Sequence, residues 1–313
     1  AYLALTLRYF RGVRAGRRAA ATGTPRGAAR AGTFGSLITT NWAVSPDYAA
    51  PAGGILRLRL AATDTTRIYR LYLQHGGDAD LPAVEGRIVA MDGHPLREPL
   101  PWPSAEAPLL LSPGQRADLA VRIPAEEGRE ILVMTDRPGR PHLLARLRAE
   151  GPDPGRRLDE IAPLPPNPVA EPDLQNAGLE EFVFGWSPEE LVQNNGVCGT
   201  LGYTFWSINR TPWPGDAAPA TGPLATLEMG RSYVLRLRNE SPNDHPIHLH
   251  GLVFRPIRSN RRQLASNWTD TALLLSGEAM EVALVADNPG DWAFHCHIIE
   301  HQKTGLAGYI RVA

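Results

Sequence analysis

Residues 295 to 301, HCHIIEH, crowd three histidines and one cysteine into seven positions, and the cysteine stands between two of the histidines. Six of the nine histidines lie between His245 and His301, three of them in HPIHLHG, residues 245 to 251. Imidazole and thiolate are ligands for borderline and soft transition metals, so the clustering predicts metal binding. Successive side chains of a strand turn to opposite faces. His248 and His250 therefore point together and His245 the other way, while His295 and His297 are split from Cys296.

Two strands thus present two faces. On one, His245, Cys296 and, after a short connection, His301 give two imidazoles and one thiolate, the trigonal set of a blue copper site. The spacing Cys-x4-His-x4-Leu places Leu306 at the weak axial position. Leucine donates nothing, which disfavours the cupric form and predicts a raised reduction potential. On the other face, the imidazoles of His248, His250, His295 and His297 suit a second, harder copper centre. One thiolate can then hold a copper on one face while its covalent neighbours hold coppers on the other, giving electrons a bonded path. Zinc is the rival metal, because mixed His/Cys sets also bind it tetrahedrally, but a two-faced layout has no use in a structural zinc site.

The elements that must position these residues are strands. Apolar and polar residues alternate in GGILRLRLAA (53–62), RADLAVRI (116–123), SYVLRLRNE (232–240) and MEVALVAD (280–287), each bounded by turn-forming residues. With 30 glycines, 29 prolines and no strong helical period, the class is all-β. Seven prolines between Gly151 and Gly178 predict an extended linker. The halves on either side echo each other: LRLRL (56–60) matches LRLR (235–238), and SPGQRADLAV (112–121) matches SGEAMEVALV (276–285). Two copies of one sandwich are expected, in residues 1–150 and 179–313 with the linker at 151–178. Where the second copy carries HPIHLHG and HCH, the first has RIYRLYLQHGG and REILVMTD, so only the second is built to hold metal.

The paired signatures HPIHLHG and HCHIIEHQKTGL resemble those of the multicopper oxidases, the family of laccases, bilirubin oxidases and cuprous oxidases. The resemblance implies two tandem cupredoxin-like Greek-key β-sandwiches. It implies His245, Cys296 and His301 as type 1 copper ligands with Leu306 axial, His248 as a type 2 ligand, and His250, His295 and His297 as ligands of a type 3 pair. It also implies the activity: single electrons taken from a small reducing molecule, phenolic or similar, at the type 1 copper near an exposed His301 or His245, passed through Cys296, His295 and His297 to a trinuclear copper centre, and used to reduce dioxygen to water. Three-domain members complete that centre with four histidines from an N-terminal domain bearing two His-x-His motifs. Such motifs are missing from this sequence, since His75, His94 and His142 are each isolated. The type 1 site is then complete and the type 2 and type 3 sites half present, and the chain resembles a second and third domain whose cluster another domain or another chain would finish. A type 1 copper electron carrier, or an inactive copper-binding fragment, is the alternative reading.

Other features are less specific. A formal charge of -1 argues against a nucleic-acid partner. Seven arginines and no acid between Ala1 and Pro46 read as a solvated loop or, less simply, an anion site. No apolar run approaches the ~18 residues of a membrane span. The chain begins without methionine or a signal segment, so a mature form or a fragment is expected, and the family resemblance implies a periplasmic or secreted location. With only Cys198 and Cys296 present, no disulfide framework is expected. Asp244 and Asp270 could orient a ligand imidazole, receive a substrate proton or form turns, Trp268 and Trp292 could assist electron transfer but read by default as packing residues, and the sequon-like triplets at Asn209, Asn239 and Asn267 read as chance.

Overall fold

Leucine and arginine alternate at 56–60 and at 235–238, and in both places the leucines face inward and the arginines outward in a computed structural model of the chain, which describes residues 2–10, 37–77, 82–137, 140–187, 205–215 and 222–313. Cys198 and most of the arginine-rich stretch, residues 11–36, lie outside the described residues. The strands of the first half are β1 (Tyr2–Phe10), β2 (Leu37–Thr40), β3 (Asp47–Pro51), β4 (Ile55–Ala62), β5 (Tyr69–His75), β6 (Gly86–Met91), β7 (His94–Pro95), β8 (Leu109–Leu111), β9 (Arg116–Arg122), β10 (Glu130–Arg137) and β11 (Arg140–Glu150). Those of the second are β12 (Gly178–Trp186), β13 (Trp206–Ile208), β14 (Ala225–Leu227), β15 (Ser232–Asn239), β16 (His245–Leu249), β17 (Arg255–Ser259), β18 (Thr271–Leu274), β19 (Ala279–Val285), β20 (Gly290–Cys296) and β21 (Ala307–Val312). One short helix, α1 (Ile299–Lys303), separates β20 from β21. Residues 151–177 contain no strand, only a single 3-10 turn at Leu158–Glu160.

The described residues divide into two compact units. One holds residues 2–10, 37–64 and 68–167; the other holds Thr65–Arg67 and the described part of Pro168–Ala313. Each is a sandwich of two sheets. The first unit has sheets ordered β2-β1-β4-β9-β6-β7 and β3-β11-β10-β5-β8, the second β13-β12-β15-β19-β17 and β14-β21-β20-β16-β18. The correspondence runs strand by strand. A parallel pair flanks each leucine-arginine strand, β1 with β4 and β12 with β15, and an antiparallel strand lies on its other side, β9 and β19. By this correspondence β5 and β10 of the first unit stand where β16 and β20 stand in the second.

The arginines explain part of the repeat. Arg57 and Arg59 on β4 both bond Asp118 on β9, and Arg236 on β15 bonds Glu281 on β19 at 2.9 Å, so each leucine-arginine strand is tied to its neighbour by cross-strand ion pairs on the outer face. The leucines fill the cores. Leu58 and Leu60 pack with Leu71, Ile131 and Val133 in one unit, and Leu235 and Leu237 with Phe182, Phe184 and Phe294 in the other. Phe294 meets Phe182 and Phe184 edge to face, at 5.0 and 5.8 Å between centroids, and so fixes β20 against the opposite sheet. Among the described residues no helix is long and apolar enough to cross a membrane.

Candidate metal centre

Strands β16 and β20 are antiparallel neighbours with Ile247 opposite Cys296, His248 opposite His295 and Leu249 opposite Phe294. Opposed residues share a face of the sheet. Ile247, Leu249, Phe294 and Cys296 accordingly lie in the core of the second unit. His248, His250 and His295 turn the other way. His297, just past β20, extends the pairing by donating its N–H to Pro246 O at 2.7 Å, and its ring lies 5.2 Å from that of His248 and 5.3 Å from that of His295.

On the core face, α1 folds the chain back so that His301 meets His245. Their Nδ1 atoms are 3.0 Å apart, and Cys296 Sγ lies 3.7 Å from the Nδ1 of His245 and 3.5 Å from that of His301. With about 2.0 Å to an imidazole nitrogen and about 2.3 Å to a thiolate, a trigonal first-row metal site separates its donor atoms by roughly 3.5 Å. The three atoms therefore fit one ion, and they form the single group of three or more potential ligand side chains gathered this closely among the described residues. Leu306 is fully buried beside them; its N–H donates to His301 O and its carbonyl accepts from Cys296 N, both at 3.0 Å.

The supporting residues choose which nitrogen faces the site. Asn239 Oδ1 accepts from both the N–H and the hydroxyl of Ser241, so the Ser241 oxygen is left to accept from His245 Nε2–H at 2.8 Å. The lone pair of His245 is then on Nδ1, toward Cys296 and His301. Burial drives the His245 imidazole well below its usual range, reinforced by His301. Burial likewise pushes the Cys296 thiol far up, against the opposing Ile298 N–H and with help from Glu300. Without a cation His245 stays neutral and Cys296 protonated, and a bound cation would supply the charge that lets the thiol ionise, so metal uptake is coupled to proton release.

Four imidazoles gather on the opposite face. Ring centroids are 4.5 Å apart for His248 and His250 and 5.2 Å for His250 and His295, and the Nε2 atoms of the latter pair are 3.0 Å apart. His295 Nδ1–H donates to Cys296 O at 2.9 Å, which leaves its Nε2 with a lone pair. One proton or one cation must lie between that atom and His250. His248 Nδ1–H donates to Asp270 O at 2.8 Å, freeing its Nε2 in the same way. Burial brings His295 and His297 down to about 4, so both are neutral, ligand-competent imidazoles at neutral pH.

The structure corrects one expectation: His245 and His301 are both wholly buried, so neither is the exposed histidine beside which a donor is expected to give up its electron. Asp270 does abut His248, with its carbonyl 2.8 Å and its carboxylate 3.6 Å from Nδ1, while Asp244 accepts from Ser276 N–H as a turn residue. Trp268 stacks under Arg255 and Trp292 donates to Asn288 O, both packing roles. His75, His94 and His142 belong to the first unit, and His94 accompanies Asn167 at 3.0 Å. Trp206, Ser241 and Asn239 are the residues sequence reading missed. Asn239 is nearly inaccessible and serves the site, not a glycan.

Comparison with known proteins follows the same outline. The multicopper oxidase family profile matches residues 195–313. Over 152 residues the chain is 38% identical to the multicopper oxidase MmcO of Mycobacterium tuberculosis, an alignment covering 46% of this chain and 29% of that protein. A multicopper oxidase structure from Pseudomonas thermotolerans superposes with a TM-score of 0.80 at 38% identity, covering 100% of this chain and 68% of that one. One from Pseudomonas parafulva gives 0.76 at 36% identity, covering 99% and 69%. The chain belongs to the multicopper oxidase family, and its two sandwiches are cupredoxin-like. The aligned stretch spans less than a third of the length of MmcO.

Two outcomes are expected. Ser241→Ala removes the acceptor that fixes the His245 tautomer and weakens cupric binding by roughly 10- to 100-fold, read by competition with a chelator. In the metal-free chain, His295 and His297 take up protons only near pH 4 whereas the unfolded chain takes them up near pH 6.5. The unfolded state binds more protons between these values, so stability falls as pH drops from about 6.5 to 4, by on the order of a few kcal/mol, read as the urea midpoint against pH.

Proposed function

We propose that this chain takes part in the copper-dependent oxidation of a small reducing molecule, with dioxygen as the final acceptor. His245, Cys296 and His301 would hold a type 1 copper beside Leu306, His248 a type 2 copper, and His250, His295 and His297 part of a type 3 pair. Copper, when bound, supplies one-electron chemistry on the core face and four-electron reduction of dioxygen to water on the other.

The chain's own contribution is positional. Ser241 and Asp270 set the tautomers of His245 and His248, and burial keeps His245 neutral and the core-face set shielded from water. Cys296 is bonded through the backbone to His295 and to His297, so a single tripeptide joins the two ligand sets. That juxtaposition, a core-facing thiol between two imidazoles that face the other way, carries the reading. Four histidines gather on the outer face, and four more from a further domain or a second chain would complete a trinuclear centre. Phenolic or similar organic molecules are the donors proposed, since the four methionines are scattered and not gathered into a cuprous-ion insert. A periplasmic or secreted location accords with the family.

The carrier reading stays in view because no second histidine cluster accompanies the four among the described residues. The two readings separate on a simple comparison. Copper-loaded protein is expected to be blue, to bind more than one copper per chain, and to take up oxygen with a phenolic donor once the cluster is complete. Cys296→Ser is expected to lose the blue absorption while retaining copper at the outer histidines. A colourless wild type after copper loading would contradict the type 1 assignment; one blue copper with no oxygen uptake in the full-length protein would favour the carrier.

A further inference from the structure

Both core-face imidazoles are sealed from solvent, so a donor cannot touch either one directly. What does touch them is Trp206. Its buried ring lies 4.9 Å from that of His245 and 4.8 Å from that of His301, centroid to centroid. Trp206 is in turn covered by Trp186, its direct cross-strand partner between β12 and β13. The two indoles stack nearly parallel, 4.5 Å apart at an interplanar angle of 18°. Trp186 is 44% exposed. A continuous column of aromatic rings thus runs from the surface to both histidines of the metal-binding set.

The column is held in place. Phe205 lies edge-on to both indoles, at 4.8 Å from Trp186 and 5.3 Å from Trp206. The N–H groups of Phe205 and Trp206 both donate to Thr304 O, at 2.7 and 2.9 Å, which clamps this segment to the loop that carries His301. The loop approaches so closely that only glycine fits at 305, where φ is +119° and a Cβ would meet Trp206 O at 2.1 Å. Ser207 Oγ donates to Trp186 O at 2.9 Å. One face of Trp186 is fixed on Trp206 and Phe205 lies edge-on to it, while 44% of the residue is exposed, an apolar π surface suited to a flat aromatic molecule.

We propose that Trp186 and Trp206 form the route by which electrons pass from a planar aromatic donor, stacked on Trp186, to the buried His245–Cys296–His301 set. The proposal rests on the copper reading given above. The donor loses one electron, and a phenol also releases its hydroxyl proton to water at the open face of Trp186. The electron would cross the two stacked indoles to the set, where a cupric ion, when bound, would accept it and become cuprous. Neither indole gains or loses an atom, and no bond is made or broken in the protein.

The test uses the full chain loaded with copper, mixed anaerobically with a methoxyphenol, and follows bleaching of the blue absorption. Trp186→Leu is expected to slow bleaching about tenfold or more, since displacing a reacting partner by even an ångström or so is costly, while Trp186→Phe retains most of the rate. The blue band and its reduction potential should be the same in all three proteins, which a general loosening of the site would not allow. In metal-free protein the same methoxyphenol should quench tryptophan emission, and Trp186→Leu should lose that quenching. Wild-type bleaching rates in Trp186→Leu with the blue band intact would overturn this proposal alone. Equal quenching in wild type and Trp186→Leu would overturn the stacking of the donor. A loaded wild type without blue colour would overturn the copper reading and this route with it.

Discussion

The pleat of β20 is the constraint on which the site depends. A strand has no freedom to place consecutive side chains on one face, so His295, Cys296 and His297 must alternate once the strand is fixed. It is fixed by Phe294, locked edge-on between Phe182 and Phe184, and by β16 and β21 on either side. Slipping the register by one residue would put the thiol outside and two imidazoles into the core. Packing of an aromatic cluster thus selects the chemistry of residues that take no part in that cluster.

Desolvation does the second part of the work. A wholly buried thiol and two buried imidazoles favour their neutral forms, and a cation is what makes the ionised thiol affordable there. The same burial that prepares the set for metal also cuts it off from any donor. Trp206 resolves this conflict by filling the space over His245 and His301 with a conjugated ring in place of an aliphatic side chain. Burial on the outer face is less complete, and there the imidazoles are oriented by carbonyl oxygens, Cys296 O for His295 and Asp270 O for His248.

Much of this was legible in the sequence. The all-β class follows from LRLRL and its echo LRLR, and the structure places both at equivalent positions with ion pairs on the same side. The two ligand faces follow from parity alone, because His248, His250, His295, His297 and Cys296 lie within or beside regular strands. Legibility ended where contacts cross long stretches of chain. Trp206 sits on a three-residue strand far in sequence from both histidines it touches, and no periodicity marks it. Asn239 read as part of a chance NES triplet, whereas its carbonyl oxygen fixes Ser241 and, through it, His245. The burial of His301 depends on the path of α1 and the following loop, which spacing does not reveal.

The most direct measurement is a crystallographic anomalous difference map of the copper-loaded protein at the copper absorption edge. One peak is expected between His245 Nδ1, Cys296 Sγ and His301 Nδ1 inside the core, and separate copper density among His248, His250, His295 and His297 on the outer face of the sheet. Copper shared by Cys296 and either of its flanking histidines on one face, or no copper at Cys296 while the outer histidines are loaded, would contradict it.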